Sequence, residues 1–124
     1  MAGMAILVIH GGAGTVSDRY QDAYREGLKA AADVGHRELQ ATGDPVKAVI
    51  AAVSAMELNE KAFNAGVGGA PTREGRVELD ACVMAGDGSA GAVAILGCLT
   101  VNDETLIMRV GRANPDLALA ASVI

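Results

Sequence analysis

The chain has 124 residues, 51% of them hydrophobic and 20% charged, a composition that excludes a disordered polar tail. Ten Lys and Arg stand against 15 Asp and Glu, a net charge of -5, which argues against nucleic-acid phosphates and anionic membrane surfaces as partners. Its apolar mass is mostly small: 24 Ala and 16 Gly against 2% aromatics, which suits close backbone packing and is poor material for a self-contained core.

In chain order, residues 5–9 (Ala-Ile-Leu-Val-Ile) read as a strand covered on both faces, because the run is continuously apolar. It meets Gly11, Gly12 and Gly14 at once and has no basic region before it, so it is not a signal peptide. Asp18 is placed to cap a helix, with Gln21 as its capping-box partner. Tyr20, Ala23, Tyr24, Gly27, Leu28, Ala31, Val34 and Leu39 then form one stripe at steps of three and four. Arg19, Arg25, Glu26, Lys29, Arg37 and Glu38 lie off that stripe and read as solvated. Gly27 and Gly35 each cost about 1 kcal/mol of helix propensity relative to Ala, which implies that something packs close to them.

Thr42-Gly43 ends this helix, and Asp44-Pro45 starts another as N-cap and N1. Val46, Val49, Ile50, Val53, Met56 and Glu57 carry it to about Asn59. Two consecutive helices suggest an antiparallel pair stacked on a sheet. A glycine-rich loop follows over residues 63–71. Residues 77–84 read as a strand with Val77, Leu79, Ala81 and Val83 on one face. Gly86-Asp87-Gly88 turns the chain, and residues 90–96 return as a second strand. Asn114, with Pro115 after it, is placed to cap a short final helix. No apolar run reaches the roughly 20 residues that a membrane span needs. Cys82 and Cys98 form no CxxC pair and read as reduced thiols of a cytoplasmic protein.

Three segments carry candidate chemistry. His10-Gly11-Gly12-Ala13-Gly14 either offers backbone N–H groups to an anion or catalytic group, or is a plain turn beside a hydrogen-bonded structural histidine. An esterase with such a loop also needs a Gly-x-Ser-x-Gly elbow, and Asp87 stands where the first Gly before Ser89 belongs. Gly86-Asp87-Gly88-Ser89-Ala90-Gly91 matches a dinucleotide-binding GxGxxG, but a helix must open at its third Gly. The residues after Gly91 read as a strand, so a hairpin fits better. The loop over 57–69 has clustered Gly and few acids. It either presents backbone carbonyls to a hard monovalent cation or is an ordinary tight loop.

ILVIHGGAGTV, FNAGVGGAPTREGRVELDACVM and AGAVA, in this order over residues 5–94, resemble the α-subunit of plant-type L-asparaginase/isoaspartyl aminopeptidase, an N-terminal-nucleophile (Ntn) hydrolase family. The resemblance implies an α+β fold: part of an αββα Ntn-hydrolase sandwich contributing a strand, two helices and a β-hairpin. It implies a precursor that cleaves itself and subunits that stay together as (αβ)₂. The β-half begins with a Thr that attacks L-asparagine or a β-aspartyl dipeptide, and a β-aspartyl-Thr enzyme is then hydrolysed. No organic cofactor is implied. Gly11 and Gly12 lie beside the nucleophile and influence processing. Asn64 is similar to the family's Asn that orients the catalytic Thr. The loop before it resembles the sodium loop, with Na⁺ held by main-chain oxygens of Glu57, Leu58, Glu60, Phe63, Ala65 and Val67. Leu79-Asp80-Ala81 looks like the family's LDA strand, with Asp80 structural.

The chain departs from the family pattern at Met84-Ala85-Gly86, where Met-Asp-Gly is usual and Asp87 is displaced. After Ala94 the likeness stops, so residues 1–94 read as a half domain and 95–124 as a divergent tail. Gly14-Thr15-Val16 mimics a cleavage site but lies inside the HGGAG segment, and Thr42, Thr72, Thr100 and Thr105 lack the nucleophile's setting. The expectation is a chain inactive alone: a truncated or frameshifted member, a processed half whose partner is encoded elsewhere, or a remnant with a binding role. Two alternatives stand beside it. One is a catalytically dead interaction domain that homodimerises through an exposed sheet face. The other is a nucleotide-binding module at residues 86–91.

Overall fold

The computed structural model describes residues 5–97 and 118–123. Its architecture is α+β: a pair of helices followed by a three-stranded antiparallel sheet. Helix α1 spans Gln21–Thr42 and is entered through a 3-10 turn at Asp18–Tyr20. The capping box does not form. Asp18 already belongs to the turn, and its Oδ1 accepts from the Gln21 side-chain amide at 2.8 Å.

Gly43 closes α1 with φ 67°, its N–H donating to the Leu39 carbonyl at 2.8 Å. This is the left-handed cap that glycine adopts at little cost. Asp44 then caps α2, Pro45–Glu57, its Oδ1 accepting from Val46 N–H at 2.9 Å and Lys47 N–H at 3.2 Å. Only Gly43 and Asp44 separate the helices, so α2 folds back along α1. Gly35 lies opposite Ala48 and Ala52, Ala31 clusters with Met56, and Gly27 faces Asn59, Ala62 and Phe63.

On α1 the buried residues are Gly27, Ala31 and Gly35, and Tyr20 at the head of the expected stripe is exposed. Arg19, Arg25, Glu26, Lys29 and Arg37 are exposed as expected, while Glu38 is half-buried. On α2 the alanines at 48 and 52 are fully covered, whereas Val49, Ile50 and Val53 are half-buried. The helices therefore meet through small residues. A Cβ at Gly35 would lie 2.9 Å from both the Ala48 carbonyl oxygen and Ala52 Cβ.

The expected first strand is corrected. Residues 5–9 are not in a strand, and only one face is covered. Leu7 and Ile9 are half-buried: Leu7 reaches Gly35, and Ile9 packs on the cluster of Ala31, Met56, Ala62 and Phe63. Ile6 and Val8 face outward at 76% and 82% exposure. Apolarity favours burial, but a strand also needs a hydrogen-bonded neighbour, and no strand beside this segment is among the described residues.

Strand β1, Glu78–Ala85, buries Leu79, Ala81, Val83 and Ala85 and leaves Glu78, Asp80 and Met84 exposed. Val83 is 2% exposed, a burial that contributes about 1.5–3 kcal/mol. Val77 falls just before the strand and Ala85 takes up the alternation. β2, Ala90–Gly97, pairs antiparallel with β1. Between Leu79↔Leu96 and Ala81↔Val93 the register shifts by one, setting Asp80 opposite a β-bulge.

The tail is corrected too. Asn114 and Pro115 lie outside the described residues, but 118–123, expected to be helical, form strand β3, Ala118–Val123. It pairs antiparallel with β1, from Asp80↔Val123 to Ala85↔Ala118. The order is β2-β1-β3, with α2 packed against β1 and β3. Alanine's helix propensity is worth only tenths of a kcal/mol per residue, so the open edge of β1 outweighs it.

Candidate functional site

Two glycine-bearing segments flank the helix pair. The first is the loop leaving α2. Leu58 caps the helix, and the Asn59 carbonyl accepts from Ala62 N–H at 3.2 Å and Phe63 N–H at 3.0 Å. Phe63 is buried, and its ring meets the Tyr24 ring edge-on at 5.3 Å. The next residue, Asn64, is exposed. Val67 N–H returns to the Glu57 carbonyl at 3.0 Å and closes the loop.

Glycine is required inside this loop because carbonyls occupy the space of its side chains. A Cβ at Gly66 would strike the Glu57 carbonyl, and one at Gly68 would strike the Phe63 carbonyl oxygen and lie 3.2 Å from the Glu60 oxygen. The Glu60 and Phe63 carbonyls thus converge on Gly68, with that of Glu57 beside Gly66. Oxygen-only donors are the kind that suit a hard cation, and the Glu57 carbonyl among them already accepts from Val67 N–H. Leu58, Ala65 and Val67 lie on the same loop. Among the described residues, no group of three His, Cys, Asp or Glu is placed to hold a metal.

The second segment is His10 to Gly14. Gly12 has φ 109°, which a side chain would strain, and its N–H donates to Nδ1 of the exposed His10 at 3.1 Å. A Cβ at Gly11 would lie 3.1 Å from Leu28 Cδ2, so the turn is seated on α1.

Residues 86–89 form the β1–β2 turn, and Ala90 and Gly91 open β2. Gly88 has φ 84°, Gly88 N–H bonds the Ala85 carbonyl at 2.9 Å, and Asp87 Oδ1 accepts from Ser89 N–H at 2.9 Å and Ser89 Oγ at 2.6 Å. Gly91 lies inside β2, so the helix that a dinucleotide site requires is not there. Asp80 is exposed on β1. Cys82 is a free, half-buried thiol, and Cys98 lies outside the described residues.

Thr15 is exposed outside any helix or strand, and the Thr42 hydroxyl donates to the Glu38 carbonyl at 2.8 Å, a helix-end bond. Neither has the setting of a nucleophile. Thr100 and Thr105 lie outside the described residues. The Asp33 carboxyl is held below its ordinary range, first by the hydrogen bond from Lys29; desolvation opposes this, and the nearby charges of Lys29, Arg37 and His36 add to the lowering. It is exposed on the surface of α1.

The profile of the family described as Asparaginase matches residues 3–108, most of the chain and both glycine segments. The chain belongs to the asparaginase family. The match runs past Ala94 and takes in all of β2.

This asparaginase-family chain is 43% identical over 96 residues to the human isoaspartyl peptidase/L-asparaginase, covering 76% of the chain and 31% of the relative. For the mouse isoaspartyl peptidase/L-asparaginase the identity is 42%, over 76% of the chain and 29% of the relative. For the plant-type L-asparaginase of Thermococcus kodakarensis it is 44% over 93 residues, covering 73% and 30%. The chain thus spans under a third of the length of these relatives. Within the asparaginase-family segment, the loop after α2 carries Glu57, Glu60, Phe63 and Asn64, while Gly11 lies against α1's Leu28, which packs on the cluster of Ala31, Met56, Ala62 and Phe63. One contact escaped the sequence reading: Phe63 fills the space beside Gly27. The mid-helix glycine signalled a close neighbour without saying which.

Proposed function

We propose that this chain is the α-subunit-like part of an L-asparaginase/isoaspartyl peptidase, completed by a β-half that supplies an N-terminal Thr. The observation that carries the reading is the uncovered face at residues 5–9. Ile6 and Val8 project from a segment whose other face packs on the helix pair. Two large aliphatic side chains left in water beside a covered face support a second half seated there.

In the assembled enzyme the Thr hydroxyl of the β-half attacks the side-chain carbonyl of asparagine or a β-aspartyl dipeptide. Its own amine takes the hydroxyl proton. Ammonia or the amino-acid amine leaves, and water hydrolyses the β-aspartyl ester. The part played by this chain is positional. Asn64, exposed at the tip of a loop anchored by Phe63, orients the Thr. Gly11 and Gly12 shape the turn beside it. Main-chain oxygens of the loop over 57–67 would hold a structural Na⁺, which would stiffen the loop. The family half extends past the expected boundary at Ala94, over residues 3–108, and the assembled protein acts in the cytoplasm with Cys82 and Cys98 reduced.

The test is coexpression with a Thr-initiated β-half, assaying ammonia from L-asparagine. The reading expects copurification, with activity in the complex and none in the chain alone. Copurification without activity overturns it. That result, with a concentration-dependent dimer of the chain, favours the second reading: a catalytically inactive interaction domain that buries Ile6 and Val8 against a second copy.

A further inference from the structure

We infer that Gly27, in the middle of α1, is a positioning residue for Asn64, acting through Ala62 and Phe63. The inference rests on the proposed role of Asn64 and extends it to a helix that carries none of the reacting groups.

Phe63 immediately precedes Asn64. Its N–H donates to the Asn59 carbonyl at 3.0 Å. Ala62 N–H is shared between the Asn59 carbonyl at 3.2 Å and Asn59 Oδ1 at 3.3 Å. These bonds hold the turn together, but they are local and do not fix it against the rest of the fold. Packing on α1 does that. Phe63 is 5% exposed and Ala62 4%, and both rest on Gly27.

A Cβ at Gly27 would lie 2.8 Å from Phe63 Cε2, 2.8 Å from Ala62 Cβ and 3.1 Å from Asn59 Nδ2. The Phe63 ring has nowhere to swing freely, because Tyr24 meets it edge-on at 5.3 Å and 66°. The Ala62 methyl has no rotamer to change, so relief requires the backbone of 62–63 to move. Asn64 moves with it.

Gly35 provides the internal comparison. It is buried on the same helix, and a Cβ there would meet Leu7 at 2.7 Å, with the Ala48 carbonyl and Ala52 at 2.9 Å. The crowding is equal in severity, but none of these neighbours belongs to the Asn64 loop. A merely structural role predicts the same consequence at both glycines. A positioning role predicts that only Gly27 reaches Asn64.

The experiment uses the full chain labelled with ¹⁵N, then the same variants coexpressed with the Thr-initiated half. Gly27→Ala is expected to shift the Asn64 backbone and side-chain amide signals and to speed exchange of the Phe63 amide. Gly35→Ala lowers Tm and leaves those signals in place. Gly27→Ala combined with Phe63→Leu moves Asn64 part of the way back toward its original signals, because the smaller side chain vacates its share of the contested space and leaves the Ala62 contact. Should Gly27→Ala fail to fold, that double variant and Tyr24→Leu, which removes the ring holding Phe63, carry the measurement.

In the coexpressed enzyme, Gly27→Ala lowers kcat on the order of 10- to 100-fold with KM nearly unchanged, as expected when a reacting group is misplaced by about 1 Å. Equal Asn64 shifts in Gly27→Ala and Gly35→Ala overturn the inference, as does a Gly27→Ala spectrum unchanged at Asn64. An unsubstituted complex without activity overturns the functional reading instead, and the amide signals still decide the role of Gly27.

Discussion

Gly35 of α1 leaves open the space into which Ala52 of α2 projects, 2.9 Å from where a Gly35 Cβ would stand. The Ala48 carbonyl oxygen lies equally close, so the two helix backbones are held at the separation a hydrogen atom permits. Gly35→Ala gains about 1 kcal/mol of helix propensity and incurs overpacking of about 1–3 kcal/mol. A net loss of about 1 kcal/mol is expected, read as a lower midpoint in urea at unchanged m-value.

The Asp44 cap is a separate lever on the same helix pair. Its carboxylate accepts from both Val46 and Lys47, satisfying two N–H groups that otherwise have no intrahelical partner. Asp44→Ala is expected to destabilise the chain by about 1 kcal/mol, and Asp44→Ser to recover most of that. Urea unfolding of the three proteins side by side checks the order.

Ile6 and Val8 should matter to assembly and little to the chain itself. Replacing both with Glu is expected to change the chain's own stability by less than about 1 kcal/mol, because both are already in water. The same pair of substitutions should abolish copurification with the Thr-initiated half. Retention of the complex would show that this face is not the joint.

The carbonyl cluster at Gly68 makes a sodium effect measurable. Raising NaCl at constant ionic strength, with tetramethylammonium chloride as balance, should raise Tm in the original chain, because a ligand bound only by the folded state stabilises it. Gly68→Ala puts a methyl group against the Phe63 and Glu60 carbonyls and should remove that dependence. Equal Tm in the two salts would refute the sodium loop.

Asp33 sets a small pH dependence whose sign follows from its depressed carboxyl. A carboxylate with a lower pKa in the folded state adds stability above its unfolded pKa and loses it as pH falls through the folded value. Asp33→Asn should therefore match the original chain in acid and fall slightly behind at neutral pH. Because Lys29 and Asp33 are both exposed, added salt should shrink even that gap.

Elements specified by neighbouring residues were legible in the sequence. Gly43 and Asp44-Pro45 terminate and start helices through their own backbone and side-chain chemistry. The 77–84 alternation with Gly86-Asp87-Gly88 placed the β1–β2 hairpin within a residue at each end. Features that depend on distant partners were not legible. Residues 5–9 have strand composition but lack a strand to pair with among the described residues. Residues 118–123 have helix composition but take an open edge of β1. At the site, spacing alone left the 57–69 loop undecided. Its crowded carbonyls emerge only when Gly66 and Gly68 are seen against Glu57, Glu60 and Phe63. Likewise, no pattern in α1 identifies Phe63 as the neighbour of Gly27.

The amide of Gly12 already has an acceptor, the Nδ1 lone pair of His10 two residues before it. That bond fixes the imidazole as the tautomer with its hydrogen on Nε2. It also means that the glycine turn is not an idle donor: any oxyanion seeking the Gly12 N–H must first displace the ring.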